Sequence, residues 1–233
     1  MIERIDSAVF GPVPAFVRIS VRLMDVDPSR VVASAGAARA FLARAAAAAR
    51  TPAQDDERLA AWRAAYEDVG LGADGVPPTT ALLAWAAALG GIPSQGVVGD
   101  LVNALSLQLG APTAAYDVDG IEGDLWLRPS RGVESYETVG ATTGRPNVVE
   151  INELILADSA DRVVARAWHG SPGRQAVVGP HSRDVLVHID QLAPEADPEA
   201  TGAAVGRLIG GFAGARAAVQ VLDRGRPIAR WPA

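Results

Sequence analysis

The texture of the chain changes at Thr113, and that change limits the folds open to it. From residue 27 to about 50 the sequence is alanine-rich, and helix starts and stops continue to residue 109. Alanine is the strongest helix former, so these segments predict helices. After Thr113 come short runs of β-branched and aromatic residues between Gly, Pro, Asp and Asn, which read as strands and turns. Helices and strands are segregated instead of alternating. This excludes a doubly wound sheet and predicts an α+β fold.

The helical part has clear punctuation. Asp27-Pro28-Ser29 opens a helix that runs to about Arg50 and breaks at Thr51-Pro52. A second helix covers residues 55–69 and stops at Gly70. A third starts at Pro77-Pro78 and ends at Leu89, and a fourth runs over 98–109 to Gly110 and Pro112. One strand precedes them at residues 15–25, where Phe16, Arg18, Ser20 and Arg22 alternate with Val17, Ile19, Val21 and Leu23. Such alternation predicts a half-buried strand. Later strands are expected at 124–127, 148–151, 163–168 and 185–189. A helix is expected at 198–215, and a closing hairpin pairs 219–222 with 228–231 around Asp223-Arg224-Gly225. Gly202, Gly206, Gly210 and Gly214 form a stripe along that last helix, which predicts close packing of another element.

At 233 residues the chain suits a single domain, residues 1–233. It has no cysteine, which excludes disulfides, thiolate nucleophiles and cysteine-bound metal. All 21 basic residues are arginine, so lysine general bases and Schiff bases are excluded too. The start MIERIDSAVFGPVP has no basic segment followed by an apolar run, and the most apolar helix, 79–89, is too short to span a bilayer. A soluble, cytoplasmic protein with no membrane partner is expected. The net charge of −6 argues against a DNA-binding role and makes any RNA contact local, weak or assisted by a partner.

Candidate chemistry is spread along the second half. Asp100 and Asn103 start a helix and serve either as caps or as a polar pocket wall. Asp117, Asp119, Glu122 and Asp124 lack the spacing of a calcium loop and suit turn capping. Arg128 and Glu134 flank a Pro-Ser-Arg-Gly turn, where Arg128 either closes an ion pair or grips a ligand carboxylate or phosphate. Glu150, Asn152 and Glu153 follow two valines. In a strand, Glu150 and Asn152 share one face and Glu153 takes the other, and one of these carboxylates is a candidate general base. Residues 162–183 carry Arg162, Arg166, Arg174 and Arg183 with His169 and His181, and no acidic residue. Residues 117–158 carry nine acidic residues and three arginines, a balance of 3 − 9 = −6. A basic strand-turn-strand beside an acidic body is either a docking point for an RNA end or a solvated hairpin. The spacing of His169, His181 and His188 fits no metal site. His188 reads as a packed or edge histidine. His169, next to Trp168 at a Gly-Ser-Pro-Gly turn, is the leading candidate for a general base. No metal or other cofactor is expected.

Residues 100–117, DLVNALSLQLGAPTAAYD, resemble a stretch of the B3/B4 domain, the editing domain of the phenylalanyl-tRNA synthetase β subunit. Asp100, Asn103, Gly110, Pro112, Tyr116 and Asp117 carry the resemblance. It continues through IEGDLWLR at 121–128 and Gly132-Val133-Glu134, and extends over about residues 62–189. Residues 1–61 then form an N-terminal strand and helical part, and 190–233 a C-terminal helix and hairpin. The resemblance implies an α+β, B3/B4-like domain with a partly closed β-sheet or barrel flanked by helices. It also implies hydrolysis of mischarged aminoacyl-tRNA. A histidine two residues after the proline is replaced here by Ala114, a threonine by Val102, and Trp168 follows the strand that lines the family's pocket. These departures imply a substrate other than tyrosyl-tRNA. The expected site joins catalytic His169 and Glu153 to Asn103, Ala114, Arg128, Arg166 and Trp168 as substrate contacts, with aminoacyl-tRNA as partner. The alternative is a non-catalytic module that binds an amino acid or other small molecule.

Overall fold

The computed structural model describes residues 1–49, 57–72, 76–138, 149–194 and 196–232. The elements run β1 (Ile2–Ile5), α1 (Ser7–Phe10), β2 (Phe16–Met24), α2 (Pro28–Ala49), α3 (Glu57–Asp68), α4 (Pro78–Leu89), α5 (Gly96–Leu109) and β3 (Thr113–Asp117). Then follow β4 (Leu125–Pro129), β5 (Leu154–Asp158), β6 (Val163–Ala165), β7 (Val185–Leu192), α6 (Pro198–Ala213), β8 (Arg216–Leu222) and β9 (Ile228–Arg230). The α+β class stands. The break expected at Thr51-Pro52, and Val148, lie outside the described residues.

Two open sheets take the place of the partly closed barrel. The first has the order β6-β5-β4-β1-β9 and the second β3-β7-β2-β8. One core lies between them, where Ile5, Leu125, Leu127 and Leu156 of the first sheet meet Phe16, Tyr116, Leu186 and Leu222 of the second. Trp62 and Tyr66 of α3 join this core. The other face of the second sheet presents Ile19, Val21, Leu23, Val185, Val187 and Ile189 to α5 and α6. The molecule is therefore three layers deep: sheet, sheet, helices. β2 runs through the middle layer and is buried on both faces. The polar half of its alternation faces the first sheet, so the expected solvent face does not exist.

Other differences have local causes. The expected closing hairpin is a crossover: β8 pairs with β2 in one sheet and β9 with β1 in the other. Its turn forms as expected, with Asp223 Oδ1 accepting from Gly225 N and Arg226 N. Leu222 before the turn and Ala229 and Trp231 after it all sink into the core between the sheets. The chain must change sheets to bury them there. The strand expected at 148–151 lies later, at β5. Asn152 takes φ 68°, a left-handed conformation that ends extended backbone, and residues 150–153 form a turn. β1 and β3 were not anticipated. The glycine stripe of α6 packs close, as expected. A Cβ on Gly202 would fall 2.5 Å from Val219 Cγ1 and 2.7 Å from Ile19 Cγ2. α2 is long and apolar enough to cross a bilayer by length and composition, and here it packs against α5 through Leu42, Ala45 and Ala104.

Candidate functional site

The register of the middle sheet collects polar side chains in the core between the sheets. Arg18 of β2 pairs with Asp190 of β7, and Ser20 with His188. Ala114 of β3 lies opposite His188 on its other side. Side chains in register share a face, so these point together toward the first sheet. That sheet contributes Glu3 from β1. Glu3, Ser20 and Asp190 have no exposed surface, and Arg18 and His188 almost none. Ala114 is partly exposed.

Two linked networks fill the centre. Arg18 grips Asp190 with both prongs, Nε to Oδ1 at 2.7 Å and Nη2 to Oδ2 at 2.6 Å. His169 Nε2 lies 2.6 Å from the same Oδ2, and Tyr66 Oη lies 3.0 Å from His169 Nδ1. In the second network Ser20 Oγ donates to Glu3 Oε1 at 2.9 Å, and Trp231 Nε1 donates to Glu3 Oε2 at 3.3 Å. His188 Nε2 lies 3.0 Å from Glu3 Oε1, out of line for a hydrogen bond. Arg18 Nη1 lies 3.9 Å from that oxygen and bridges the networks. Arg18 Nη1 and His188 Nδ1 have no hydrogen-bond partner among the described residues. Buried polar groups are nearly always paired, which makes these two notable.

Burial and charge set the protonation states. Burial raises the Asp190 carboxyl, but the charge and hydrogen bonds of Arg18, together with His169, outweigh it and hold the group well below the usual carboxylate range. Glu3 is likewise lowered against its burial, by His188 first and Arg18 after. Burial pushes the His169 imidazole down, more than Asp190 lifts it, so the ring is neutral at pH 7. Burial raises the Tyr66 phenol, which stays protonated.

His169 is presented by a strained turn. Ala167 and Trp168 both take left-handed conformations, φ 48° and 63°, which non-glycine residues rarely adopt. Glu153 clamps this turn: its carboxylate accepts from Ala167 N at 2.9 Å and from Arg166 Nε at 2.8 Å. Trp168 is wholly buried, edge-on to Phe16 at 5.3 Å and Trp62 at 5.5 Å and stacked on Tyr66 at 5.6 Å.

The structure thus brings together only some of the expected site. His169, Trp168 and Ala114 lie at or beside the buried centre. Glu153 and Arg166 pair with each other behind the turn. Arg128 pairs with Glu134 and Asp161. Asn103 sits on α5, whose Leu101, Val102 and Leu105 pack on the helical side of the middle sheet. Its Nδ2 is buried without a partner, and no described contact joins it to the centre. Arg162 pairs with Asp158, so the basic segment 162–183 presents fewer free charges than its composition implies. Asp117 caps the Asp119 N–H, and no acidic or histidine cluster suited to a metal occurs among the described residues. Sequence reasoning missed Glu3, Arg18, His188, Asp190 and Tyr66. The one signal was arginine and serine alternating inside a strongly apolar strand.

Known proteins share this arrangement of sequence. A family model described as the B3/4 domain matches residues 61–199. The phenylalanine–tRNA ligase beta subunit of Leifsonia xyli subsp. xyli is 27% identical over 121 residues, 52% of this chain and 14% of that protein. That of Methylococcus capsulatus is 28% identical over 104 residues, 45% of this chain and 12% of that protein. The aligned part is therefore a small share of either relative. An N-terminal fragment of the phenylalanyl-tRNA synthetase beta subunit from Pyrococcus horikoshii superposes with a TM-score of 0.42 at 10% identity. That match covers 92% of this chain and 49% of the fragment.

Proposed function

The chain belongs to the B3/4 domain family, and from that premise we propose that it hydrolyses the ester of a mischarged aminoacyl-tRNA at the buried centre between its sheets. The observation that carries this reading is the pair of unpartnered groups, Arg18 Nη1 and His188 Nδ1, next to partly exposed Ala114. The resemblance implies a histidine at position 114. Here His188, the register partner of Ala114, supplies an imidazole from the neighbouring strand.

The chemistry follows from what each group can donate or accept. Water attacks the ester carbonyl carbon, and His188, in its neutral form, takes its proton on the unpartnered Nδ1. The carbonyl oxygen becomes an oxyanion and accepts from Arg18 Nη1. The C–O bond then breaks, the tRNA oxygen leaves with the proton that His188 took, and the freed carboxylic acid ionises to solvent. Asp190 and His169 hold the guanidinium in place. In this reading Glu153 and Arg166 position the turn, and the base expected at His169 moves to His188. Trp168 fills core space among Phe16, Trp62 and Tyr66, which supports a substrate other than tyrosyl-tRNA. The tRNA contact is local and partner-assisted, in keeping with the acidic net charge, and the setting is cytoplasmic.

The test is single-turnover deacylation of a panel of aminoacyl-tRNAs with protein in excess. The expected result is hydrolysis of at least one, slowed about 10²-fold or more by Arg18→Gln. No hydrolysis of any member contradicts the reading. A second reading, a non-catalytic binder of an amino acid or similar small molecule, is favoured by the engagement of both His169 ring nitrogens and of the Glu153 carboxylate. It predicts a raised thermal midpoint with a free amino acid and no deacylation.

A further inference from the structure

We propose that β8 is a dimerisation edge: it pairs antiparallel with β8 of a second copy of this chain and joins the two middle sheets into one. At seven residues, β8 is the longest of the described edge strands. Its sequence, RAAVQVL, has no proline or lysine and carries charge only at Arg216. Edge strands are usually blunted by such residues, by bulges or by a covering element. The ladder shows which groups it leaves open. Asp190 N donates to Pro112 O, so the even-numbered residues of β7 bond β3 and the odd-numbered ones bond β2. The even-numbered residues of β2 then bond β8, through Arg18–Leu222, Ser20–Gln220 and Arg22–Ala218. The N–H and C=O of Ala217, Val219 and Val221 therefore point out of the sheet. Val219 and Val221 line a groove of about 760 Å³, walled by Ala200 and Ala203 of α6 on one side and by Pro227 and Ile228 on the other.

Backbone groups at this spacing suit another strand, and a copy of β8 fits them. With Val219 opposite itself across a two-fold axis, Ala217 lies opposite Val221, and every open N–H meets an open C=O. The charges agree with that direction. Arg216 of one copy comes within one residue of Asp223 of the other, whereas a parallel copy sets Arg216 beside Arg216. The layers agree as well. Gly202 packs on both Val219 and Ile19, so α6 lies over the β2–β8 pair. Strands are about 4.8 Å apart, which leaves the two α6 axes about 10 Å apart, the ordinary spacing of packed helices. Ala200 and Ala203 are small enough to allow that approach.

The experiment is sedimentation equilibrium of the full chain over rising concentration, beside the variant Ala217→Pro. Ala217 is exposed and its N–H is not used by β2, so proline there leaves the bonds of the sheet intact. The unaltered chain is expected to dimerise. In the variant the dissociation constant is expected to rise about 100-fold, because hydrogen bonds are lost on both copies. If the variant does not fold, amide hydrogen exchange on the unaltered chain decides the matter: Ala217, Val219 and Val221 are expected to exchange more slowly in concentrated than in dilute protein. A chain that stays monomeric at every concentration overturns the proposal and leaves the edge to a strand from another protein. A dimer that Ala217→Pro leaves intact, or one in which these three amides exchange at the monomer's rate, overturns it by placing the contact on another face.

Discussion

The residue that governs the centre is Arg18, because it neutralises Asp190 and its Nη1 has no hydrogen-bond partner among the described residues. His169 beside it makes the centre sensitive to pH. Its imidazole is held below the ordinary range by burial, so the fold keeps it neutral. The unfolded chain takes up a proton at this ring below about pH 6.5. The unfolded state then binds more protons, and stability falls as the pH drops. The contribution is complete above about pH 6.5 and is lost progressively below it. Glu3 and Asp190, both lowered, add a further loss only when pH falls below ordinary carboxylate values. Thermal midpoints measured from pH 7.5 to 5.5 are therefore predicted to fall, and His169→Gln to flatten the fall. A midpoint that rises toward pH 5.5 contradicts the neutral, buried assignment.

Among the elements, α6 shows how a sequence pattern and a packing constraint meet. Gly202 lets the helix approach β2 and β8 until a Cβ would touch Val219 and Ile19, two stiff β-branched side chains. Gly202→Ala gains about 1 kcal/mol of helix propensity, yet overpacking costs about 1–3 kcal/mol. A net loss of about 1 kcal/mol in urea unfolding is expected, and a gain contradicts the close approach. This stripe was legible because spacing by four is a local property. The helices and β2 were legible for the same reason: caps, breakers and alternation all lie within a few residues. β1 was not, being a four-residue strand whose partners, β4 and β9, lie over a hundred residues away. The centre was hidden by the same non-locality. Arg18 and Asp190 meet only through the β2–β7 register, and Glu3 through the stacking of the sheets. His169 was legible from its turn, whereas Glu153 looked free only because its clamp on residues 166–167 depends on a turn that no local signal announces.

At the scale of the whole molecule, the centre sits where two sheets close on each other and a third layer of helices backs one of them. The acidic surface leaves little general attraction for RNA. A protein that neutralises six to ten phosphates loses about 10³–10⁵ in affinity between 50 and 200 mM salt. Here, with Arg162 and Arg166 paired to carboxylates, kcat/KM for deacylation is predicted to fall by less than about tenfold over that range. A steeper fall would show a larger phosphate footprint than the surface provides. In the proposed reaction the chemistry lies between the sheets, at His188. The chain has three histidines, so imidazole nitrogen NMR can report on each. His181 is exposed and serves as an internal control. The measurement is the imidazole spectrum with and without an aminoacyl-adenosine analogue whose ester is replaced by an amide. The His188 signals are expected to move, with smaller shifts at His169, while His181 stays still. Saturable binding that leaves His188 and His169 unmoved would place the site elsewhere and rule out chemistry at His188.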